Sequence, residues 1–262
     1  MNPDWCPCVL RVVLDWLLVV LLHVAFYLFK GIKVPLSGFF CDDHSIRYPY
    51  YDSTIPTKAL LGYGYGLPLA LVVILEPLSA LYLYYAVGAK NVWKTMAVRM
   101  YNVITIYMLA IGLTRAVTWL FKITTKANRP HFLDVCQPNI TLTSCTGFVN
   151  EYSCQGMRTN LMPEINVSFV SGHSSVTAVA VMFIVLYLQE RLQLSCAPLL
   201  RPMLQTAIVS FGLYVVISRY TDKKHHVSDI IAGTLVGAGS ATALFIGYSP
   251  TMKELAPWRW SE

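Results

Sequence analysis

Six apolar runs, each near the length of a bilayer-crossing helix, leave this chain few folds to choose from. They lie near residues 9–29, 59–87, 97–120, 174–190, 202–217 and 228–248. A helix needs roughly 20 mostly apolar residues to cross the hydrocarbon core, and backbone exposed to lipid must pair its own N–H and C=O groups. Barrel strands would alternate apolar and polar residues over segments of about 10, and no run here does so. With 55% hydrophobic and 13% charged residues, a chain of 262 is too apolar for an ordinary soluble domain. The expected fold is an all-α integral membrane protein, with residues 1–262 forming one domain of six transmembrane helices in one bundle. The first run follows Asp4 and Trp5, carries Arg11 and lacks a small-residue cleavage site, so it reads as a retained helix rather than a signal peptide.

Three polar blocks interrupt this apolar background: Lys122 to Pro130, Ser171 to His173, and Ser218 to Asp229. Each sits at the edge of a run. In a six-span chain alternate loops share a side of the membrane, so the end of span three, the start of span four and the loop between spans five and six all emerge on one face. The long polar loops 30–58 and 121–173 belong to that face as well. The stretch Gly62-Tyr63-Gly64-Tyr65-Gly66 fails the dinucleotide pattern because Leu67 stands where a third glycine is required, and its glycines read as helix entry and close packing. A channel or transporter would place ionisable groups at mid-membrane, yet the spans hold little beyond Glu76 and Arg115. Glu76, beside Pro77, is expected to pair locally or to sit in a hydrated gap.

The face itself is read from weaker signals, since the lysine and arginine bias does not decide orientation once the block residues are set aside. Two glycosylation sequons, Asn139-Ile140-Thr141 and Asn166-Val167-Ser168, fall in the loop between spans three and four. Asn139 is the favoured acceptor and Asn166, close to the blocks, the weaker one. Cys41, Cys136, Cys145 and Cys154 occupy the two long loops, which favours an oxidising, extracellular or lumenal side. Cys145 and Cys154 are close enough in sequence to close a small loop, and Cys41 with Cys136 would then tie the first long loop to the second. The other two pairings stay open. Cys6 and Cys8 are candidates for palmitoylation on the opposite face, and Cys196 reads as an inert interfacial thiol.

Transfer of a phosphoryl group needs the phosphate held and the charge on its equatorial oxygens stabilised. Lys122 and Arg129, flanking a short segment stopped by Pro130, together with Arg219 supply one ammonium and two planar forks. Lone basic residues such as Lys90, Lys94 and Lys253 read instead as headgroup anchors. Ser171, Gly172 and His173 immediately precede span four, where a helix N-terminus exposes unpaired amides and partial positive charge. Gly172 permits close backbone approach, and Ser171 either donates a hydroxyl or caps the helix. His225 and Asp229 are four apart, so on a helix they would share a face. The carboxylate would then orient one imidazole nitrogen and leave the other free to attack phosphorus. His226 lacks that spacing, and His23, His44 and His131 read as structural.

These residues carry a resemblance. Lys122-x6-Arg129-Pro130, Ser171-Gly172-His173 and Ser218-Arg219-x5-His225-x3-Asp229 resemble the three motifs of the type 2 phosphatidic acid phosphatase superfamily. The strings from Arg129 to Cys136, Phe40 to Asp43 and Leu186 to Gln189 resemble the animal lipid phosphate phosphatases in particular. Val170 stands where many members have proline. The resemblance implies that His225 is the nucleophile, Asp229 its orienting acid and His173 the acid that protonates the leaving alkoxide. Lys122, Arg129, Ser171, Gly172 and Arg219 would bind the phosphate, with no metal and no cofactor.

It also implies phosphatidic acid, lysophosphatidic acid, sphingosine 1-phosphate and ceramide 1-phosphate as substrates. The expected partners are the lipid phosphate and the membrane itself, with no nucleic acid and a homo-oligomer left open. The expected site is an integral, multi-pass position in the plasma membrane with the active site on the extracellular or lumenal face. The main alternative is a catalytically silent lipid-phosphate-binding or scaffold membrane protein, which would have lost a motif residue. Vanadate-dependent haloperoxidases share the anion-binding constellation in a soluble fold, against which the six spans argue.

Overall fold

The computed structural model describes residues 5–141, 144–192 and 196–254, with side chains described from 9 to 248 within those ranges. Cys6 and Cys8, Lys253 and the tail around Trp260 lie outside those described side chains. Seven α-helices lie among the described residues: α1 (Trp5–Gly31), α2 (Thr57–Ala86), α3 (Val92–Thr125), α4 (Phe132–Cys136), α5 (Gly172–Arg191), α6 (Leu200–Thr221) and α7 (Val227–Glu254). All except the five-residue α4 are long and apolar enough to cross a membrane. Pro68 and Pro77 lie inside α2, as membrane helices allow when neighbouring groups satisfy the freed carbonyls.

Enclosure differs between the spans. The apolar stretches of α3 and α5 are the most buried, while α1 and α6 are largely peripheral. Val13, Leu17 and Leu21 on α1, with Leu213 and Ile217 on α6, present apolar side chains outward, as lipid-facing surface requires. The inner core gathers Tyr107, Ile111, Val179, Phe183, Tyr187, Ala241 and Phe245 from α3, α5 and α7.

Two glycines set how closely α7 approaches α5. A Cβ at Gly233 would stand 2.5 Å from the Ser171 carbonyl oxygen, and one at Gly237 would stand 2.1 Å from that of Ser175. Fully buried Ala241 continues the row one turn later. Small residues four apart let helix backbones come nearly into contact where lipid supplies no hydrophobic drive. This contact seats the start of α5 against the first turns of α7.

The two long loops form a cap on one end of the bundle. Strand β1 (Phe39–Phe40) pairs antiparallel with β2 (Phe148–Val149), Phe39 opposite Val149 and Phe40 opposite Phe148. Beneath them Phe39, Ile46, Phe132, Leu133, Val135 and Ile165 form a second apolar cluster. The disulfides differ from the expected small loop: Cys41 pairs with Cys145, Cα atoms 5.7 Å apart, and Cys136 with Cys154, 4.6 Å apart. Strand pairing decides this. It places Cys41, whose N–H donates to the Gly147 carbonyl at 2.9 Å, beside residue 145, while a bridge between Pro138 and Cys154 brings the latter to the end of α4.

Glu76 and Arg115 both have partners inside the bundle. Glu76 accepts two hydrogen bonds from Arg191, at 2.7 and 2.6 Å, and one from the Tyr187 hydroxyl at 3.1 Å. Its partner thus comes from the far end of α5 rather than from its own neighbourhood. The Arg115 guanidinium lies 3.7 Å from the centre of the Phe26 ring and donates to the Tyr65 hydroxyl. If backbone contact at Gly237 holds α5 and α7 together, Gly237→Ala lowers stability in detergent by about 1–3 kcal/mol. Gly239→Ala, where no atom lies within 4 Å of an added Cβ, leaves it unchanged. Equal unfolding shifts for the two variants would show that the contact does not limit packing.

Candidate functional site

Asp229 is the point at which the polar blocks meet. It occupies the first turn of α7, and its Oδ2 accepts from the Ser168 hydroxyl at 2.6 Å and from the His226 backbone N–H at 2.9 Å. Its backbone carbonyl accepts the Ser171 N–H at 3.0 Å. His225 Nδ1 stands 3.6 Å from Asp229 Oδ2 and 3.4 Å from Ser168 Oγ. The sequence spacing suggested a shared helical face, but His225 precedes α7. The pair meets because Asp229, third residue of the helix, reaches back over its own N-terminus as an acid in a capping box does. The same geometry brings His226 Nδ1 to 3.4 Å from Asp229 Oδ2, so two histidines share one carboxylate.

The tight turn between α6 and α7 supplies this arrangement. Lys223 is left-handed at φ 52°, and the Arg219 carbonyl accepts the N–H groups of Lys224 at 3.1 Å and His225 at 3.3 Å. Burial pushes the His225 ring well below the usual histidine range against the opposing pull of Asp229, with Arg129 and Lys122 adding to the downward shift. Its hydrogen bond to Asp229 raises His226 instead. With Nδ1 facing the acid, Nε2 is the ring nitrogen turned away from it.

The cations converge from two other segments. Lys122 lies in the last turn of α3, beyond the end expected from hydropathy, and is buried with its ammonium donating to the Val167 carbonyl. The helix ends at left-handed Lys126, whose N–H returns to the Lys122 carbonyl at 3.3 Å, so Pro130 is not what stops it. Arg129 follows, its N–H bonded to the Ile165 carbonyl at 2.8 Å and its guanidinium 3.4 Å from Glu164. Burial lowers its pKa, and its buried Nε has no hydrogen-bond partner among the described residues. Arg219, only 1% exposed, contacts Ser218 Oγ through Nε and Nη2 at 3.0 and 2.8 Å, and Asp222 through Nη2 at 2.7 Å.

The second block closes the ring. Ser171 caps α5, accepting from the Ser174 N–H at 3.3 Å. A Cβ on Gly172 would meet only Thr118 at 3.9 Å and Lys122 at 4.0 Å, so internal packing does not demand glycine there. His173 Nε2 stands 3.1 Å from the Ile55 carbonyl, to which it donates, and Arg219, Arg129 and Lys122 all act on its ring electrostatically. His131 is buried, bonded through Nδ1 to the Lys223 carbonyl at 2.8 Å, and neutral with a pKa of about 4 because of that burial.

Sequence reasoning missed Ser168 and Lys224. Ser168 lies in the second sequon, where Asn166 is 1% exposed and donates its amide to the Pro35 carbonyl. In the folded chain that amide is enclosed, and the sequon's serine serves Asp229. Lys224, next to His225, is buried with its ammonium 3.5 Å above the centre of the Tyr50 ring. Burial pulls its pKa down to about 8, helped by Arg129 and Arg219 and opposed by Asp52 and Asp222. Its place directly before the motif histidine was the one available signal.

The chain belongs to the PAP2 superfamily, whose family model matches residues 103–252. It is 36% identical to mouse phospholipid phosphatase 1, over 93% of this chain and 86% of that protein. It is 36% identical to mouse phospholipid phosphatase 2, over 87% and 82% respectively. A putative phosphatidate phosphatase of Drosophila melanogaster is 32% identical over 88% of this chain and 66% of its own length. No solved structure matches.

Lys224 carries a pH signature. Its charge is present below about pH 8 and lost above, while inorganic phosphate is already mostly dianionic above neutrality. Inhibition by inorganic phosphate should therefore weaken as pH rises through about 8, and Lys224→Met should remove that limb from the pH profile. A limb that persists in the variant would assign it to another group.

Proposed function

We propose that this protein hydrolyses lipid phosphate monoesters through a phosphohistidine formed on His225. Its family and its phospholipid phosphatase relatives make it a phosphatase. The observation that carries the mechanism is the placing of His225, backed by Asp229, within the electrostatic reach of Lys122 and Arg129. The His225 Nε2 lone pair forms the bond to phosphorus as the bond to the lipid oxygen breaks. Asp229 stabilises the positive charge that develops on the ring. Lys122, Arg129, Arg219, Ser171 and the Gly172 amide hold the three equatorial oxygens. The proton for the departing alkoxide comes from His173: the substrate phosphate beside the ring favours the imidazolium, Nε2–H stays on the Ile55 carbonyl, and the Nδ1 proton is the one transferred, leaving a neutral ring. Water then attacks the phosphohistidine and releases inorganic phosphate.

The substrates proposed are phosphatidic acid, lysophosphatidic acid, sphingosine 1-phosphate and ceramide 1-phosphate, each presenting a monoester at the bilayer surface. An apolar groove of about 200 Å³ between α2, α5 and α6 is lined by Tyr63, Leu67, Val181, Ile184, Leu204 and Phe211. The Tyr63 hydroxyl bonds Thr177 at 2.8 Å and lies within the field of Arg219. A lipid tail held there would let the headgroup reach the cations without leaving the membrane. The test is phosphate release from these lipids by the purified full chain in mixed micelles. His225→Ala abolishes release while the protein stays folded, and EDTA leaves the native rate intact. Robust turnover by the variant, or strong inhibition by EDTA, would refute the mechanism.

We further propose that the cap faces the extracellular or lumenal side of the plasma membrane and bears an N-glycan at Asn139. Asn139 is exposed, and the cap is cross-linked by two disulfides. A glycosidase-sensitive mass shift in the cell-expressed protein, lost in Asn139→Gln and kept in Asn166→Gln, is the expected result. Absence of any shift in native protein would remove the glycan and with it this support for the orientation.

A further inference from the structure

Two adjacent residues of the first long loop reach both ends of the site. Thr54 donates its backbone N–H to Asp222 Oδ2 at 2.8 Å and its hydroxyl to Asp222 Oδ1 at 2.7 Å. Asp222 Oδ2 in turn accepts from Arg219 Nη2 at 2.7 Å. Ile55, the next residue, receives His173 Nε2 on its carbonyl at 3.1 Å. Pro56 follows with φ −72° and ψ 154°, directly before α2. A proline restricts the residue before it to extended backbone, which holds the Ile55 carbonyl in one direction.

These contacts are not accounted for by packing. Thr54 is exposed, and its partner Asp222 lies 168 residues away in sequence. Neither Thr54 nor Asp222 belongs to the three motifs. Arg219 is almost wholly buried, and Asp222 and Ser218 engage its Nε and Nη2 edge. Among the described hydrogen bonds none uses Nη1, so the fork is fastened on one side with the other still available. An arginine has many rotamers, and a guanidinium contributes most to planar recognition when its orientation is set in advance.

We propose that Asp222 is a positioning residue for the phosphate-gripping Arg219, and that Thr54 and Ile55 form a strap setting Arg219 and His173 in a common register. This rests on the phosphatase reading above for the identity of the ligand, a phosphate group. The first long loop is then a working part of the site rather than a linker. The strap acts through its partners and touches no reacting atom. The opposite role, in which Asp222 competes with phosphate for Arg219, predicts tighter phosphate binding when the carboxylate is neutralised.

The experiment measures the affinity of the purified full chain for inorganic phosphate by ligand-induced thermal shift, and KM and kcat for phosphatidic acid in mixed micelles. Asp222→Asn and Thr54→Ala should weaken phosphate binding and raise KM by about tenfold, as expected for losing a hydrogen bond to a charged group. Thr54→Ser, which keeps the hydroxyl, should restore native values. In an Arg219→Lys background the Asp222→Asn and Thr54→Ala effects should shrink to less than about twofold, because residues acting through one partner are not additive. Unchanged or tighter phosphate binding, equal factors in both backgrounds, or a Thr54→Ser variant as impaired as Thr54→Ala would each overturn the proposal. Should Asp222→Asn fail to fold, the exposed Thr54 pair decides alone. Phosphate binding that responds as expected in a native protein without turnover would sink the phosphatase reading and leave the positioning role standing.

Discussion

The architecture of the site depends on one buried carboxylate. Asp229 takes the Ser168 hydroxyl and the His226 amide on one oxygen, lies beside His225, and offers its carbonyl to Ser171. The segment that leads into α5 and the turn that leads into α7 are thereby joined at a single residue. A buried anion is costly unless it is paired and hydrogen-bonded, and here every neighbour that offsets the cost is also part of the site. Stability and chemistry use the same contacts.

Close backbone approach makes this possible. Gly233 and Gly237 bring α7 against the first two turns of α5, so the helix N-terminus bearing Ser171 and Gly172 and the turn bearing His225 open on one space. Lys122 enters from the last turn of α3, which extends past the apolar run. The helix ends are rigid platforms for short polar side chains, and rigid placement is what a charge-stabilising site requires.

The cap adds what the bundle cannot. Strand pairing, an apolar cluster around Phe39 and Phe132, and two disulfides fasten the long loops over the cations. Tyr50 from the first loop lies under the Lys224 ammonium, and Thr54 holds Asp222. Far from the cap, Glu76 and Arg191 satisfy each other within the membrane region. That pair requires no transported ion to explain it.

Hydropathy and chain order alone determined the six spans and the emergence of all three polar blocks at one end, because a bilayer fixes helix length and a hairpin topology fixes sides. The motif residues were legible for the same reason: Lys122, Arg129, His173, Arg219, His225 and Asp229 each lie within a few residues of a span boundary. Partnerships between loops were not legible. Cys145 joins Cys41 rather than nearby Cys154, since strand register and not sequence distance sets which thiols meet. His225 and Asp229 meet over a helix N-terminus instead of along a helical face, and Ser168, read as part of a glycan signal, proves to hold the Asp229 carboxylate. Asp222 and Thr54 carry no pattern of their own, and Lys224 only its place directly before the motif histidine. Side-chain partners separated by a hundred residues or more depend on how the loops fold over the bundle, which only the tertiary structure decides.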